Sequence, residues 1–167
     1  MSRTKVVIAD TSFLLNFINV DRVDILGALD QFDFWIPREV AIEIREPIQV
    51  ARLDAAHEIR ILRTIDVAGV RELEKFAVYR KRFGLGESAC LASASENGYI
   101  VALDDKKARK IAQAEFGVDR ILTTPGALLL AIRRGVMTVA EADSIKDELL
   151  QTYRFKMKDV ASFSDLL

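Results

Sequence analysis

Val6-Val7-Ile8-Ala9-Asp10 is a short apolar run closed by an acid, and Tyr99-Ile100-Val101-Ala102-Leu103-Asp104-Asp105 repeats the pattern late in the chain. Neither run alternates polar and apolar residues. An unbroken run of this kind suits a strand buried on both faces, as in a parallel sheet covered by helices. A helical pattern follows each run. In open parallel sheets, ligands sit beyond the carboxyl ends of the strands. The two runs therefore direct Asp10 and the Asp104-Asp105 pair to one edge. Gathered carboxylates repel one another and are costly to desolvate, so such a cluster points to a bound cation.

Working outward, Thr11 and Ser12 offer hydroxyl caps for a helix whose apolar face is Phe13, Leu14, Phe17 and Ile18. Asp21 offers a cap for a second helix through Ile25, Leu26 and Leu29. Phe32-Asp33-Phe34-Trp35-Ile36 reads as a strand ended by Pro37, with Val40, Ile42 and Ile44 lining the helix that follows. A further helix is expected over 48–60. Residues 60–65 fit either a third strand or the tail of that helix. Val70, Leu73, Phe76, Ala77 and Tyr79 mark an amphipathic helix, and Gly84-Leu85-Gly86 a turn. The segment Glu87 to Glu96 is rich in Ser and Ala, so it can lie close to a sheet; Asn97-Gly98 stops it. A helix over 106–116 closed by Gly117, a last strand over 118–122, a helix from Pro125 to Gly135, and a final helix opened by a Thr138/Glu141 capping box complete the reading. The tail Arg154-Phe155-Lys156-Met157-Lys158 alternates basic and apolar residues and suits an edge strand or an ordered extension. Strands alternating with helices give an α/β fold: three layers, α/β/α, around a mostly parallel central sheet of Rossmann-like topology, as a single domain over 1–167.

Of 167 residues, half are hydrophobic and 29% are charged, enough to bury a core and too apolar for a disordered chain. The 24 Lys and Arg nearly balance the 25 Asp and Glu, so the formal net charge of -1 is not the footprint of a dedicated nucleic-acid binder. An acidic metal site would, however, mask local basic surface such as Arg80-Lys81-Arg82, Lys106-Lys107 with Arg109-Lys110, and Arg133-Arg134. No apolar run approaches the roughly 18 residues that span a bilayer. Met1 to Lys5 lacks the pattern of a signal peptide, so a cytoplasmic location is expected. Cys90 is the one cysteine, read as a core thiol, and His57 the one histidine, read as a surface residue. Oxygen donors without histidine favour a hard cation, Mg²⁺ or Mn²⁺.

Four segments in order resemble the PIN domain, a family of metal-dependent nucleases. Val6 through Asp10 to Leu15 is similar to its opening strand and acid. Ile36-Pro37 through Val40 to Glu43 is similar to its second motif, Gly86-Glu87-Ser88-Ala89 to its third, and Val101-Ala102-Leu103-Asp104-Asp105-Lys106-Lys107-Ala108-Arg109 to its fourth. The Gly-Glu and Asp-Asp-x-x-x-Arg forms, with Thr123-Thr124-Pro125-Gly126 after them, resemble a prokaryotic ribonuclease and toxin-like branch. The stretch 47–84 is longer than in small members.

The resemblance implies catalytic roles for Asp10, Glu43, Glu87 and Asp105, and metal ligation by Asp10, Glu87, Asp104 and Asp105, with Asp105 the usual ligand of the pair. Thr11, Ser12, Lys106, Lys107 and Arg109 would hold substrate. It further implies hydrolysis of RNA phosphodiester bonds, a toxin role in a toxin–antitoxin module, a small antitoxin partner and a homodimer. The bland readings are helix caps for Asp10 and one of the late pair, and solvated charge for Glu43, which shares its helix with Glu39 and Glu46. A phosphoaspartate receiver would carry its acid pair after the first strand, and a haloacid-dehalogenase phosphatase needs Asp-x-Asp there; this chain has neither. The other alternative is a catalytically inactive PIN-like module that binds RNA or protein.

Overall fold

The computed structural model describes residues 3–167. Strand β1 (Lys5–Ala9) lies at the centre of a five-stranded sheet of order β3-β2-β1-β4-β5, all parallel, with β2 Phe32–Pro37, β3 Leu62–Ile65, β4 Ile100–Ala102 and β5 Ile121–Leu122. The chain runs from β1 outward to β2 and β3, then returns past β1 to β4. The order therefore reverses between β1 and β4, where Ile8 pairs with Val101 and Ala9 with Ala102. The carboxyl ends flanking that point carry Asp10 on one strand and the loop to Asp104 and Asp105 on the other.

Right-handed crossovers that move in opposite directions along a parallel sheet put their helices on opposite faces. Helices α1 (Thr11–Asn19), α2 (Asp24–Ala28) and α4 (Pro47–Glu58) cover one face with α8 (Thr124–Arg133) and α9 (Val139–Tyr153). Helix α6 (Leu85–Asn97) lies on the other, against β1, β2 and β4. It is flanked by α3 (Arg38–Glu43), α5 (Val70–Tyr79) and α7 (Lys106–Phe116). Its inward residues Ser88, Ala89, Cys90, Ala92, Ser93 and Ala94 are all buried, which is why small side chains occupy them. Val7, Ile8, Phe13, Leu14, Phe34, Ile36 and Val101 form the core between the layers.

Several sequence expectations shift. The segment 118–122 is a 3₁₀ turn over Val118–Arg120 before the two-residue β5, because the Arg120 side chain is drawn to the carbonyls of Tyr99 and Ala94. Residues 62–65 are a strand, and the tail after α9 is an ordered extension with no strand pairing. Leu85 and Gly86 belong to the first turn of α6, not to a separate turn. Asp21 adopts φ 54° in a tight turn and does not cap α2, whose N-cap is Val23. Ile42, Val70 and Leu73 face solvent, since α3 and α5 bury only one narrow side. The Thr138/Glu141 capping box forms as read. Among the described residues no helix is long and apolar enough to cross a membrane.

Candidate active site

Asp10 ends β1, and its backbone N–H donates to the Ala102 carbonyl of β4 at 2.9 Å. The residue is thus stitched across the reversal of strand order. It is the N-cap of α1 by backbone geometry, yet its side chain makes no capping bond. The carboxylate instead accepts from the Ser12 hydroxyl at 3.0 Å and is only 3% exposed. Thr11 and Ser12 do not cap either. Thr11 donates its hydroxyl to Glu43. Glu43 closes the short helix after Pro37, and its other oxygen accepts the Gly86 N–H at 2.8 Å. Glu87 follows in the first turn of α6. Asp10, Thr11, Ser12, Glu43, Gly84 and Glu87 line one open cleft of about 260 Å³. Beneath it, Asp10 and Glu87 meet Cys90, Leu103 and Ala108. The Cys90 thiol is buried and donates to the Ala9 carbonyl, so it is part of the floor, as its sequence context suggests.

Burial and mutual repulsion couple the acids of the cluster. Burial, then the charge of Glu87, and to a smaller extent Glu43, push the Asp10 carboxyl up to about 7, against the opposing hydrogen bonds from Ser12 and the Thr11 backbone. The Glu87 carboxyl is raised by burial, then by Asp105 and Glu43, while Lys107 opposes the shift. Asp105 therefore adjoins the cleft electrostatically. Its own side chain caps α7 by accepting from Ala108 N–H at 2.8 Å, so the functional and the capping readings of this residue coexist. Among the described residues, none of Asp10, Glu43, Glu87, Asp104 and Asp105 takes part in an ion pair.

The structure separates the roles of the late acid pair. Asp104 turns from the cleft and accepts from the Thr124 N–H at 2.8 Å, from the Thr124 hydroxyl, and from Asn16 at 3.3 Å. Burial raises its carboxyl, against these bonds and the nearby Arg109. Asn16 also donates to Thr124 at 3.0 Å. Sequence reasoning missed Asn16; the signal was a polar residue amid the buried run Phe13, Leu14, Phe17 and Ile18. Lys106 and Arg109 open onto a second cleft shared with Asp104 and Asp105, and Lys107 stands over the Phe83 ring.

Gly86 shows how tightly α6 must approach. A Cβ there would fall 2.6 Å from a Glu43 carboxylate oxygen and 2.9 Å from the Thr11 hydroxyl. Both atoms end mobile side chains, so Gly86→Ala should fold. It should displace Glu43, with a melting temperature within a few degrees of wild type and activity reduced about tenfold to a hundredfold, the scale set by ångström misplacement. Wild-type activity in a folded Gly86→Ala protein would show that Glu43 need not be held there.

All donors in the cleft are oxygen, which suits Mg²⁺ or Mn²⁺. No three His, Cys, Asp or Glu side chains among the described residues form a ready-made metal cage. Mg²⁺ is commonly held by one or two carboxylates and several waters, so a preassembled cage is not a requirement for it.

Among curated proteins, none matches the chain. The structure is similar to the crystal structure of PAE2754 from Pyrobaculum aerophilum, with a TM-score of 0.50 and 12% sequence identity over 80% of this chain and 91% of that one. At that identity the likeness concerns the fold alone. The family model for the PIN domain matches residues 6–162 and so spans all four acidic motifs. A nuclease-like fold, generally associated with hydrolases that use divalent metals, is thereby established, and the chain belongs to the PIN-domain family.

Proposed function

We propose that the cleft is the active site of a metal-dependent endoribonuclease. The observation that carries this reading is Asp10: a buried carboxylate beside Glu87 and Glu43, raised to about 7, with no cationic side chain paired to any member of the cluster. Such an arrangement destabilises the empty fold and favours a cation. Asp10, Glu87 and Asp105 would hold the ion. Once bound, Mg²⁺ or Mn²⁺ would supply a water of lowered pKa and stabilisation of charge on the scissile phosphate. Glu43, fixed by Thr11 and Gly86, is placed to orient the attacking water and accept its proton. Asp104 braces the loop before α7 through Thr124 and Asn16. Lys106, Lys107 and Arg109 would engage the phosphate backbone.

Metal linkage tests the site directly. An ion that binds the native cleft and not the unfolded chain adds about 2.7 kcal/mol at a hundred times its dissociation constant. Mg²⁺ or Mn²⁺ should therefore raise the melting temperature by several degrees, and Asp10→Asn should remove most of that rise. Equal shifts in the two proteins at one pH and ionic strength would remove Asp10 from the ligand set. The second reading is a PIN-like module that binds RNA or protein without cleaving it. A folded wild type with no metal-dependent shift would support that module.

The Gly86-Glu87 and Asp104-Asp105-x-x-x-Arg109 motifs also support a toxin role, with a small antitoxin partner and a homodimeric state. Production of the chain alone should arrest bacterial growth, and Asp10→Asn should relieve the arrest. Equal growth under both would count against the toxin role.

A further inference from the structure

We infer that the segment after α9 is a single-stranded RNA track, forming with α7 a basic, aromatic-floored cleft that leads the strand to the acidic site. This rests on the endoribonuclease reading. It adds the conformation of the substrate and residues that the four motifs do not contain.

The cleft has a volume of about 480 Å³. One wall is the start of α7, with Lys106 and Arg109; the other is the segment after α9 carrying Lys156 and Lys158. Phe155, Met157 and Pro125 lie between them. The basic–apolar alternation noted in the sequence now has a physical account. Met157 is buried and Phe155 is half-buried against the core, while Lys156 and Lys158 are exposed. Met157 and Phe155 anchor the segment, and the exposed lysines beside them are left at the cleft, with Lys158 and Asp159 in a turn.

The wall is also held at both ends. Arg154 takes a left-handed conformation that turns the chain out of α9, and the Phe155 N–H returns to the Leu149 carbonyl at 2.9 Å. Beyond it, Asp143 accepts from the Ser162 hydroxyl at 2.7 Å and the Phe163 N–H at 2.9 Å, with Phe163 fully buried. A segment fixed in this way presents its lysines without a large ordering cost. The cleft's four cations, Lys106, Arg109, Lys156 and Lys158, stand against three acids, Asp104, Asp105 and Asp159, so it keeps a formal excess of one positive charge. Asp104 is bonded to Thr124 and Asn16 and Asp105 caps α7, while Asp159 makes no hydrogen bond or ion pair among the described residues. Asp105, which lines this cleft, also raises the Glu87 carboxyl by its charge, so this end of the cleft adjoins the acidic site.

A cationic rim over a floor that includes an aromatic ring is how proteins hold single strands: the charges follow the backbone and the ring stacks on a base. A-form duplex RNA, by contrast, is contacted mainly across its broad minor groove, by shape. A cleft between one helix and one chain segment, with lysines and an aromatic ring among its lining, fits the first geometry.

The test is equilibrium binding of a fluorescent single-stranded RNA to the full chain in EDTA, where cleavage is silent, across a salt series. Lys156→Ala/Lys158→Ala should weaken binding at least about fivefold and reduce the slope of log K against log salt by about 1.4, the value for two single-strand phosphate contacts. Phe155→Leu should weaken binding with the slope unchanged, because it removes stacking and no charge. Both lysines are exposed, so the double variant should melt with wild type. Wild-type affinity and slope in the double variant would overturn the inference, as would equal weakening for a duplex of the same sequence. An acidic peptide bound by wild type in place of RNA would overturn it as well. Cleavage by wild type alongside unchanged binding in the variant would remove the track and leave the nuclease. Tail-dependent binding without cleavage under metal would keep the track and remove the nuclease.

Discussion

Asp10→Asn should reduce the proposed RNA cleavage at least about a hundredfold while leaving the protein folded, the largest functional effect expected of any single substitution in the chain. Asn matches Asp in size and keeps an oxygen that can accept from Ser12. What it loses is the negative charge that would favour a hard cation in this cleft. Asp10 is also the acid most strongly tied to the others, standing against Glu87 and Glu43 at the reversal of strand order. Loss of electrostatic stabilisation at one such position typically costs a hundredfold to a thousandfold in rate. Purified wild type should cut single-stranded RNA with Mn²⁺ or Mg²⁺, stop on addition of EDTA, and lose at least about a hundredfold in rate in Asp10→Asn at matched folding. Asp105→Asn should also lose activity, and because an Asn oxygen still caps a helix well, α7 should keep its start. Equal cleavage by wild type and Asp10→Asn would assign the activity to a different site or to a contaminant. No cleavage by wild type on varied RNAs would favour the non-cleaving module.

The features of this site that were legible in the sequence are those that backbone topology alone determines. An apolar run that does not alternate must be buried on both faces, and a parallel sheet must gather its strand ends along one edge. From these two constraints Asp10 and Asp105 could be placed near each other across 94 intervening positions. The small residues of α6 likewise announced a helix pressed against the sheet, and the structure buries all of them from Ser88 to Ala94. What stayed hidden was the direction of side chains whose partners lie far off in sequence. Thr11 looks like a helix cap because its local context is a strand end followed by a helical pattern. It spends its hydroxyl on Glu43 instead, a residue brought close only by the crossover through β2. Asp104 and Asp105 are adjacent and chemically identical. They part because Thr124 and Asn16 meet one of them and the first turn of α7 meets the other. The exposed Ile42, Val70 and Leu73 show the same limit from the apolar side: periodicity identifies a helix, but not how much of its stripe finds a neighbour.

The largest expected stability effect has the opposite sign to the loss of activity. In the absence of divalent metal, Asp10→Asn should be more stable than wild type at neutral and alkaline pH. An Asp in the unfolded chain ionises near 3.8, whereas Asp10 in the fold is held to about 7 by burial and by Glu87. Between those values the folded protein keeps a proton that the unfolded chain has released, so the unfolding free energy falls as pH rises. Wild type is unpenalised below about pH 4 and carries the full cost above about pH 7. That interval corresponds to roughly 4 kcal/mol as an upper bound, since a relaxed cleft or entering water lowers it. Glu87 and Asp104, also raised, act in the same direction in both proteins. Asn cannot ionise and removes the Asp10 contribution, and it also lessens the strain on Glu87. In EDTA, the stability gap between Asp10→Asn and wild type should therefore widen by roughly 3 kcal/mol from pH 5 to pH 8, on the order of 5 to 10 °C in melting temperature for a chain of this length. Saturating Mg²⁺ or Mn²⁺ at pH 8 should shrink or invert the gap, because the same repulsion that weakens the empty cleft is what the cation relieves. A gap that stays constant from pH 5 to pH 8 would show that Asp10 ionises normally in the fold. The cluster would then lack the stored repulsion on which its affinity for a cation is argued to depend.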